Sequence, residues 1–230
     1  RVKNVSKTFG GVVCALDDVS LEVYPNEIVG VVGENGAGKT TLMKILVGIH
    51  TPDRGEWEHN GVAVPFPRDP NEAARKGISI VYQEKGIIPS LKVYQFLFFG
   101  NEEKHKGRFG LQIGMMKQHA REILEEFHIQ CGIEDFMYAL PLSTQKMVEI
   151  AKAVLRIRLE QNSDTTDSVI ILDEPTAPLT IEERRDLLGE ILRMKSSTSF
   201  VYVTHIMQEV MEYMDEVVVL RDGKRVGYFD

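Results

Sequence analysis

The segment Gly33-Glu34-Asn35-Gly36-Ala37-Gly38-Lys39-Thr40 constrains this chain more than any other. It fits the pattern G-x-x-x-x-G-K followed by Ser or Thr. It lies between a strand-like apolar run, Glu27 to Val32, and a stretch of helical spacing from about Thr40 to Gly48. Glycines at these positions let successive backbone N–H groups turn inward around phosphate oxygens, and the helix that follows adds the partial positive charge of its N-terminus. In such a loop Lys39 reaches the β- and γ-phosphates of a nucleotide and the Thr40 hydroxyl binds Mg²⁺. The pattern alone does not separate kinases, GTPases and ATPases.

A second constellation narrows the chemistry. Val169-Ile170-Ile171-Leu172-Asp173-Glu174 is a buried-strand pattern that ends in two acids. An acid at a strand end near a phosphate cradle holds the Mg²⁺ shell, and this role goes to Asp173. The adjacent Glu174 points the other way and is placed to polarise an attacking water, a contribution of about 10²–10⁴-fold in general-base catalysis.

The remaining pattern fits an α/β core. Val19 to Val23 alternates as a strand after a short, turn-broken start from Val2 to Asp18. Strand-like pieces fall within 51–61, and 78–83, 169–172, 200–203 and 217–220 read as strands. Helical spacing predicts helices over 117–128, 145–159 and 207–213. Thr180-Ile181-Glu182-Glu183 reads as a capping box that opens a helix running to about Lys195. Residues 161–167 are polar and aperiodic, a loop, and Asp222-Gly223 is a turn. Strands alternating with helices imply a largely parallel sheet. The long helical stretch from about 91 to 159 reads as an inserted subdomain.

Composition excludes several function classes. The net charge of −7 lacks the basic balance of a nucleic-acid binder, so no nucleic acid is expected as the main partner. Cys14 and Cys131 stand far apart with no CxxC spacing, which argues against a zinc site or a disulfide framework. No apolar run approaches the roughly 20 residues that span a bilayer. The sequence begins at Arg1, already inside a strand-like pattern, and is expected to be a piece of a longer protein.

With both constellations in place, the sequence resembles the nucleotide-binding domains of ABC transporters over nearly its whole length. Three further residues occur in that family's order. Phe9 stands where the family has an adenine-stacking aromatic. Gln83, in Val81-Tyr82-Gln83-Glu84, matches a glutamine that senses Mg²⁺ and faces the membrane subunit. His205, in Val203-Thr204-His205, matches a histidine that contacts the γ-phosphate.

The resemblance implies a P-loop NTPase core with a mostly parallel sheet, an N-terminal antiparallel β subdomain and an inserted α-helical subdomain. It implies ATP and Mg²⁺ as cofactors. Phe9, the loop residues 33–40, Thr41, Gln83 and Asp173 would bind them, with Thr40, Gln83 and Asp173 at the metal. Lys39, Glu174 and His205 would be catalytic. Met147-Val148-Glu149-Ile150-Ala151-Lys152-Ala153 and Asp173-Glu174-Pro175-Thr176 look like the subgroup that energises uptake of simple sugars, often with two such halves in one chain. The partners then implied are a second ABC domain that sandwiches ATP, transmembrane permease subunits and, indirectly, a solute-binding protein. The chain would work at the cytoplasmic face of the membrane.

The sequence departs from the family at the signature, L-S-x-G-x-Q. Without gaps the matching stretch is Leu140-Pro141-Leu142-Ser143-Thr144-Gln145, which puts Pro141 at the serine and Ser143 at the glycine. Proline has no N–H and a fixed φ, and a side chain at the second position resists close backbone approach. A shortened loop would instead make Ser143 the signature serine. Ala177-Pro178-Leu179-Thr180 also ends in Thr where many ABC proteins carry Asp; in the sugar-uptake subgroup that Thr is ordinary, and Pro178 is the less expected residue.

Overall fold

A computed structural model describes residues 1–83, 86–107, 110–161 and 168–229. In chain order the elements are β1 (Val2–Phe9), β2 (Val13–Leu21), β3 (Ile28–Val32), α1 (Lys39–Leu46), β4 (Arg54–His59), β5 (Val62–Val64), α2 (Pro70–Arg75), β6 (Ile78–Val81) and α3 (Val93–Phe98). There follow a two-residue pair, β7 (Lys106–Gly107) and β8 (Gly110–Leu111), and then α4 (Ile113–Glu126) and α5 (Leu142–Gln161). The chain continues through β9 (Ser168–Asp173), α6 (Ile181–Met194), β10 (Thr198–Thr204), α7 (Met207–Tyr213), β11 (Glu216–Arg221) and β12 (Lys224–Phe229).

The central sheet has the strand order β12-β11-β3-β10-β9-β6. β11, β3, β10, β9 and β6 run parallel, and only the edge strand β12 is antiparallel. Parallel strands covered on both faces read as continuous apolar runs, which is why Ile28–Val32 and Ser168–Asp173 carry so little polarity. Successive side chains point to opposite faces. Phe200 and Tyr202 accordingly pack with Ile170, Leu172 and the α3, α4, α5 and α6 side chains. Val201 and Val203 pack with Val29, Val31, α1 and the N-terminal strands. The N-terminal strands form a separate antiparallel sheet, β2-β1-β4-β5.

Differences from the sequence reading have local causes. The turn-broken opening is one hairpin, in which β1 pairs β2 across several register shifts; these irregularities blur its alternation. The helix α2 was not expected because it is only one and a half turns long. Its signal is nonetheless present: Asp69 accepts from the Asn71 and Glu72 N–H groups, both at 2.8 Å, and Pro70 occupies the first turn. The expected helix over 117–128 begins earlier, at Ile113, and ends before His128, which has a left-handed φ of 52°. The expected loop over 161–167 falls, except for Gln161 at the end of α5, outside the described residues.

The capping box forms as read. Thr180 accepts from the Glu183 N–H at 3.3 Å, and the Glu183 carboxylate accepts from the Thr180 N–H at 3.0 Å. Replacing Thr180 by Ala is expected to lower unfolding stability by about 1 kcal/mol. A urea titration checks this, with an unchanged midpoint as the contrary result.

Candidate functional site

The parallel strands gather the site. β3, β10, β9 and β6 are hydrogen-bonded neighbours, so their carboxyl ends share one edge of the sheet, where open α/β folds place their ligands. β3 runs into the glycine loop, β10 into His205, β9 into Asp173-Glu174, and β6 into Tyr82-Gln83. The register aligns them: Thr204 opposes Val32, Asp173 opposes Val203, and Val81 opposes Leu172.

The loop is built around close approaches. At Gly38 the backbone is left-handed, φ 102°, and a Cβ would sit 2.5 Å from the Ala15 carbonyl oxygen and 2.8 Å from Leu16. At Gly33 a Cβ would meet the Leu220 carbonyl oxygen at 2.3 Å. The loop is therefore clamped between β2 and β11. The 222–223 turn completes the clamp, with the Gly223 N–H donating to Ala37 and the Gly223 carbonyl accepting from Asp17. Glu34, Asn35 and Gly36 lie exposed at the rim. Lys39 is buried, and its ammonium donates to the Gly33 and Glu34 carbonyls at 2.6 and 3.0 Å. Its third N–H remains to meet an anion in the loop. Thr40 is exposed and Thr41 half-buried in the first turn of α1.

The two acids meet different surroundings. Asp173 is buried, and burial followed by the neighbouring Glu174 charge pushes its carboxyl above the usual Asp range, with Lys39 opposing. Glu174 has a left-handed φ of 46°, and its N–H donates to the Val203 carbonyl at 2.9 Å. Its carboxylate accepts from the Gln83 amide at 3.0 Å through one oxygen and lies 3.0 Å from His205 Nδ1 through the other. Three of the sequence candidates thus converge on one carboxylate. The His205 side chain is 58% exposed. A contact so open to water on the histidine side adds little to stability, so it matters for geometry.

Phe9 ends β1 and pairs with Val13, two residues from the Ala15 that abuts Gly38. Its ring meets His50 edge-on at 5.2 Å between centroids, and the Lys7 ammonium lies 5.5 Å from it. His50 was missed by the sequence reading, since a histidine after a helix carries no pattern of its own. Glu209 was missed too, because its partners lie on other segments of the chain. It is buried and accepts hydrogen bonds from the hydroxyls of Thr176, Tyr202 and Thr204 at 2.7, 3.1 and 3.0 Å.

The set Asp173, Thr40 and Gln83 offers only oxygen ligands: a carboxylate, a hydroxyl and an amide. Among the described residues no group of three or more His, Cys, Asp or Glu gathers as a metal cage. One carboxylate with neutral oxygens suits Mg²⁺, which takes the rest of its shell from water and phosphate. Burial of an unneutralised carboxyl at Asp173 fits a group that meets a cation when ligand enters.

The signature stretch lies at the head of α5. The Pro141 carbonyl accepts the Gln145 N–H at 2.9 Å, so Pro141 precedes the helix and Ser143 lies within its first turn. Pro141 has no side-chain oxygen with which to cap that turn. The Gln145 side chain turns back to the Leu140 carbonyl at 2.8 Å. Thr180, at the end of the altered Ala177–Thr180 segment, is the helix cap described above.

The raised Asp173 carboxyl carries a sign. Its protonated form is favoured in the folded state, so the associated stability is present below the ordinary Asp range and is lost as pH rises through the folded value. Asp173→Asn is therefore expected to stabilise the ligand-free protein at pH 7 and to lose that advantage at acid pH. Urea midpoints of both proteins across pH check this, and a variant less stable than the parent at pH 7 contradicts it.

Comparison with known proteins places this geometry in a family. The family model described as "ABC transporter" matches residues 16–177. The chain is 39% identical over 228 residues to a putative ribose/galactose/methyl galactoside import ATP-binding protein of Pseudomonas syringae pv. syringae, covering 99% of this chain and 41% of that protein. It is 41% identical over 230 residues to a ribose import ATP-binding protein of Rubrobacter xylanophilus, covering 99% of this chain and 43% of that one. The chain thus spans about two-fifths of the length of these curated relatives. In three dimensions it superposes on an ATP-binding cassette of an ABC transporter, solved in its ADP conformation, with a TM-score of 0.82 at 24% identity, covering 99% of this chain and 89% of that one. That likeness shows the fold, an α/β ATP-binding cassette, and the match to the sequence family shows the kinship: this chain belongs to the ABC transporter family.

Proposed function

We propose that residues 1–230 form an ABC nucleotide-binding domain, with a helical subdomain at about 91–159, that binds and hydrolyses ATP to energise a membrane importer for a simple sugar or related small polar solute. The observation that carries this reading is the Glu174 carboxylate, held between Gln83 and His205 on the sheet edge that also bears the glycine loop. ATP would lie with its phosphates on residues 33–41 and its base against Phe9. Lys39 neutralises charge on the phosphates, and Asp173, Thr40 and Gln83 hold Mg²⁺, which supplies further charge neutralisation. Glu174 orients and polarises the attacking water, and His205 meets the γ-phosphate.

The cargo class is supported by the relatives' names, ribose and galactose import proteins. The partners are a second ABC domain that closes over the ATP, permease subunits at the cytoplasmic face of the membrane and, through them, a solute-binding protein. No helix among the described residues is long and apolar enough to cross a membrane.

The altered signature bears on which of two composite sites turns over ATP. The head of α5 carries Pro141 and Ser143, and in the ungapped alignment these replace the signature serine and glycine, so the site completed by this chain's own signature would be the weaker one. The site built on this chain's loop would then be the hydrolytic one. ATP turnover by the full-length protein with its membrane subunits is expected to disappear in Lys39→Ala; persistent turnover assigns hydrolysis to the partner site and leaves this half a regulatory clamp. Glu174→Gln is expected to retain ATP binding and to slow single-turnover hydrolysis by about 10²–10⁴-fold. Undiminished turnover in that variant removes Glu174 from the mechanism.

A further inference from the structure

We propose that Glu209 is a positioning residue of the Glu174–His205 pair, an inference that rests on the hydrolytic reading above. Glu209 lies in the first turn of α7, and its carboxylate is aimed back into the sheet. One oxygen accepts the Thr176 hydroxyl at 2.7 Å; the other accepts the hydroxyls of Thr204 and Tyr202 at 3.0 and 3.1 Å. Thr204 Oγ1 in turn accepts the Ile206 N–H at 3.0 Å. Thr204 and Ile206 bracket His205, and Thr176 follows Glu174 by two residues. A single carboxylate therefore ties the segment that carries His205 to the segment that carries Glu174.

The tie matters because neither segment is held by regular structure. Glu174 has just left β9 and sits at φ 46°, a conformation that persists only where the surroundings over-determine it. Its N–H bond to Val203 fixes one end of the turn, and Thr176 on Glu209 fixes the other. His205 has left β10 and is exposed, so its ring is directed by the backbone on either side. Burial and the Glu209 charge push the Tyr202 hydroxyl well above the usual Tyr range, which keeps it a proton donor to the carboxylate. Glu209 touches none of the residues assigned to ATP and acts through Thr176 and Thr204.

The test uses the full-length protein labelled with ¹⁵N-histidine, with and without its membrane subunits. It reads nucleotide affinity, the rate of hydrolysis per bound ATP, and the response of the His205 ring signal to Glu174→Gln. In Glu209→Ala, affinity is expected to stay within about twofold, hydrolysis to fall at least about tenfold, and the ring response to vanish, because misplacement of reacting groups costs rate rather than binding. Glu209→Gln keeps the size and one acceptor oxygen and is expected to lie between the two; should the alanine variant fail to fold, Glu209→Gln is judged by the same readings. A wild-type rate per bound ATP, or a preserved ring response, overturns the proposal while the Lys39 dependence of turnover leaves the hydrolytic reading standing. If the parent protein itself binds ATP without hydrolysing it, the hydrolytic reading falls, and the ring response alone decides the role of Glu209.

Discussion

Everything at the candidate site depends on the side-by-side pairing of the parallel strands β3, β10, β9 and β6. A parallel ladder fixes both direction and register, so four segments distant in sequence release their last residues along one edge. β10 is the middle of this arrangement, and all seven of its residues are buried. It separates the glycine loop from the acids by one strand and leads directly into His205, which meets Glu174. No pair of loops needs to find its partner independently, because the sheet core has already set their separation.

That economy leaves a cost in charge burial. Asp173 and Glu209 are both buried carboxylates, and removing such an ion from water costs several kcal/mol. The two are compensated differently. Glu209 accepts three hydroxyls, and hydrogen bonds to a charged group contribute about 1.5–3 kcal/mol each, enough to offset most of the desolvation. Asp173 faces a like charge at Glu174 and keeps a raised carboxyl. The first acid is arranged to hold structure in the ligand-free protein. The second is left under-compensated, as expected of a group whose counter-charge arrives with the ligand.

The sequence made the fold legible where periodicity was long or a motif had a fixed backbone demand. The glycine loop, the runs at 28–32 and 169–172 and the capping box at Thr180 each answer to one local constraint, so each is readable in isolation. α2 and the first hairpin were harder because they are short or register-shifted, which leaves too few residues to define a period. At the site, Lys39, Asp173 and Glu174 were legible from strand–loop context alone, and Phe9, Gln83 and His205 only through resemblance. Glu209 was illegible in principle. It lies on a seven-residue helix, and its partners Thr176, Tyr202 and Thr204 come from two other segments, so only the fold brings them together.

The head of α5 and the glycine loop are constrained by the fold to different degrees. Helix α5 is buried through most of its circumference, with Val148, Ile150, Ala151 and Val154 in the core, and none of these depends on what precedes Leu142. A proline before the first turn is therefore tolerated by the fold, since that position needs no intrahelical N–H. What Pro141 removes is a side-chain oxygen and a backbone donor at an exposed helix start, and a loss of that kind is felt only by a molecule docked against it. The glycine loop, by contrast, has no such freedom, because β2 and β11 press on Gly38 and Gly33 from both sides. Within this chain the phosphate cradle is thus held by packing, whereas the head of α5 is free of that constraint and can vary in sequence without disturbing the fold.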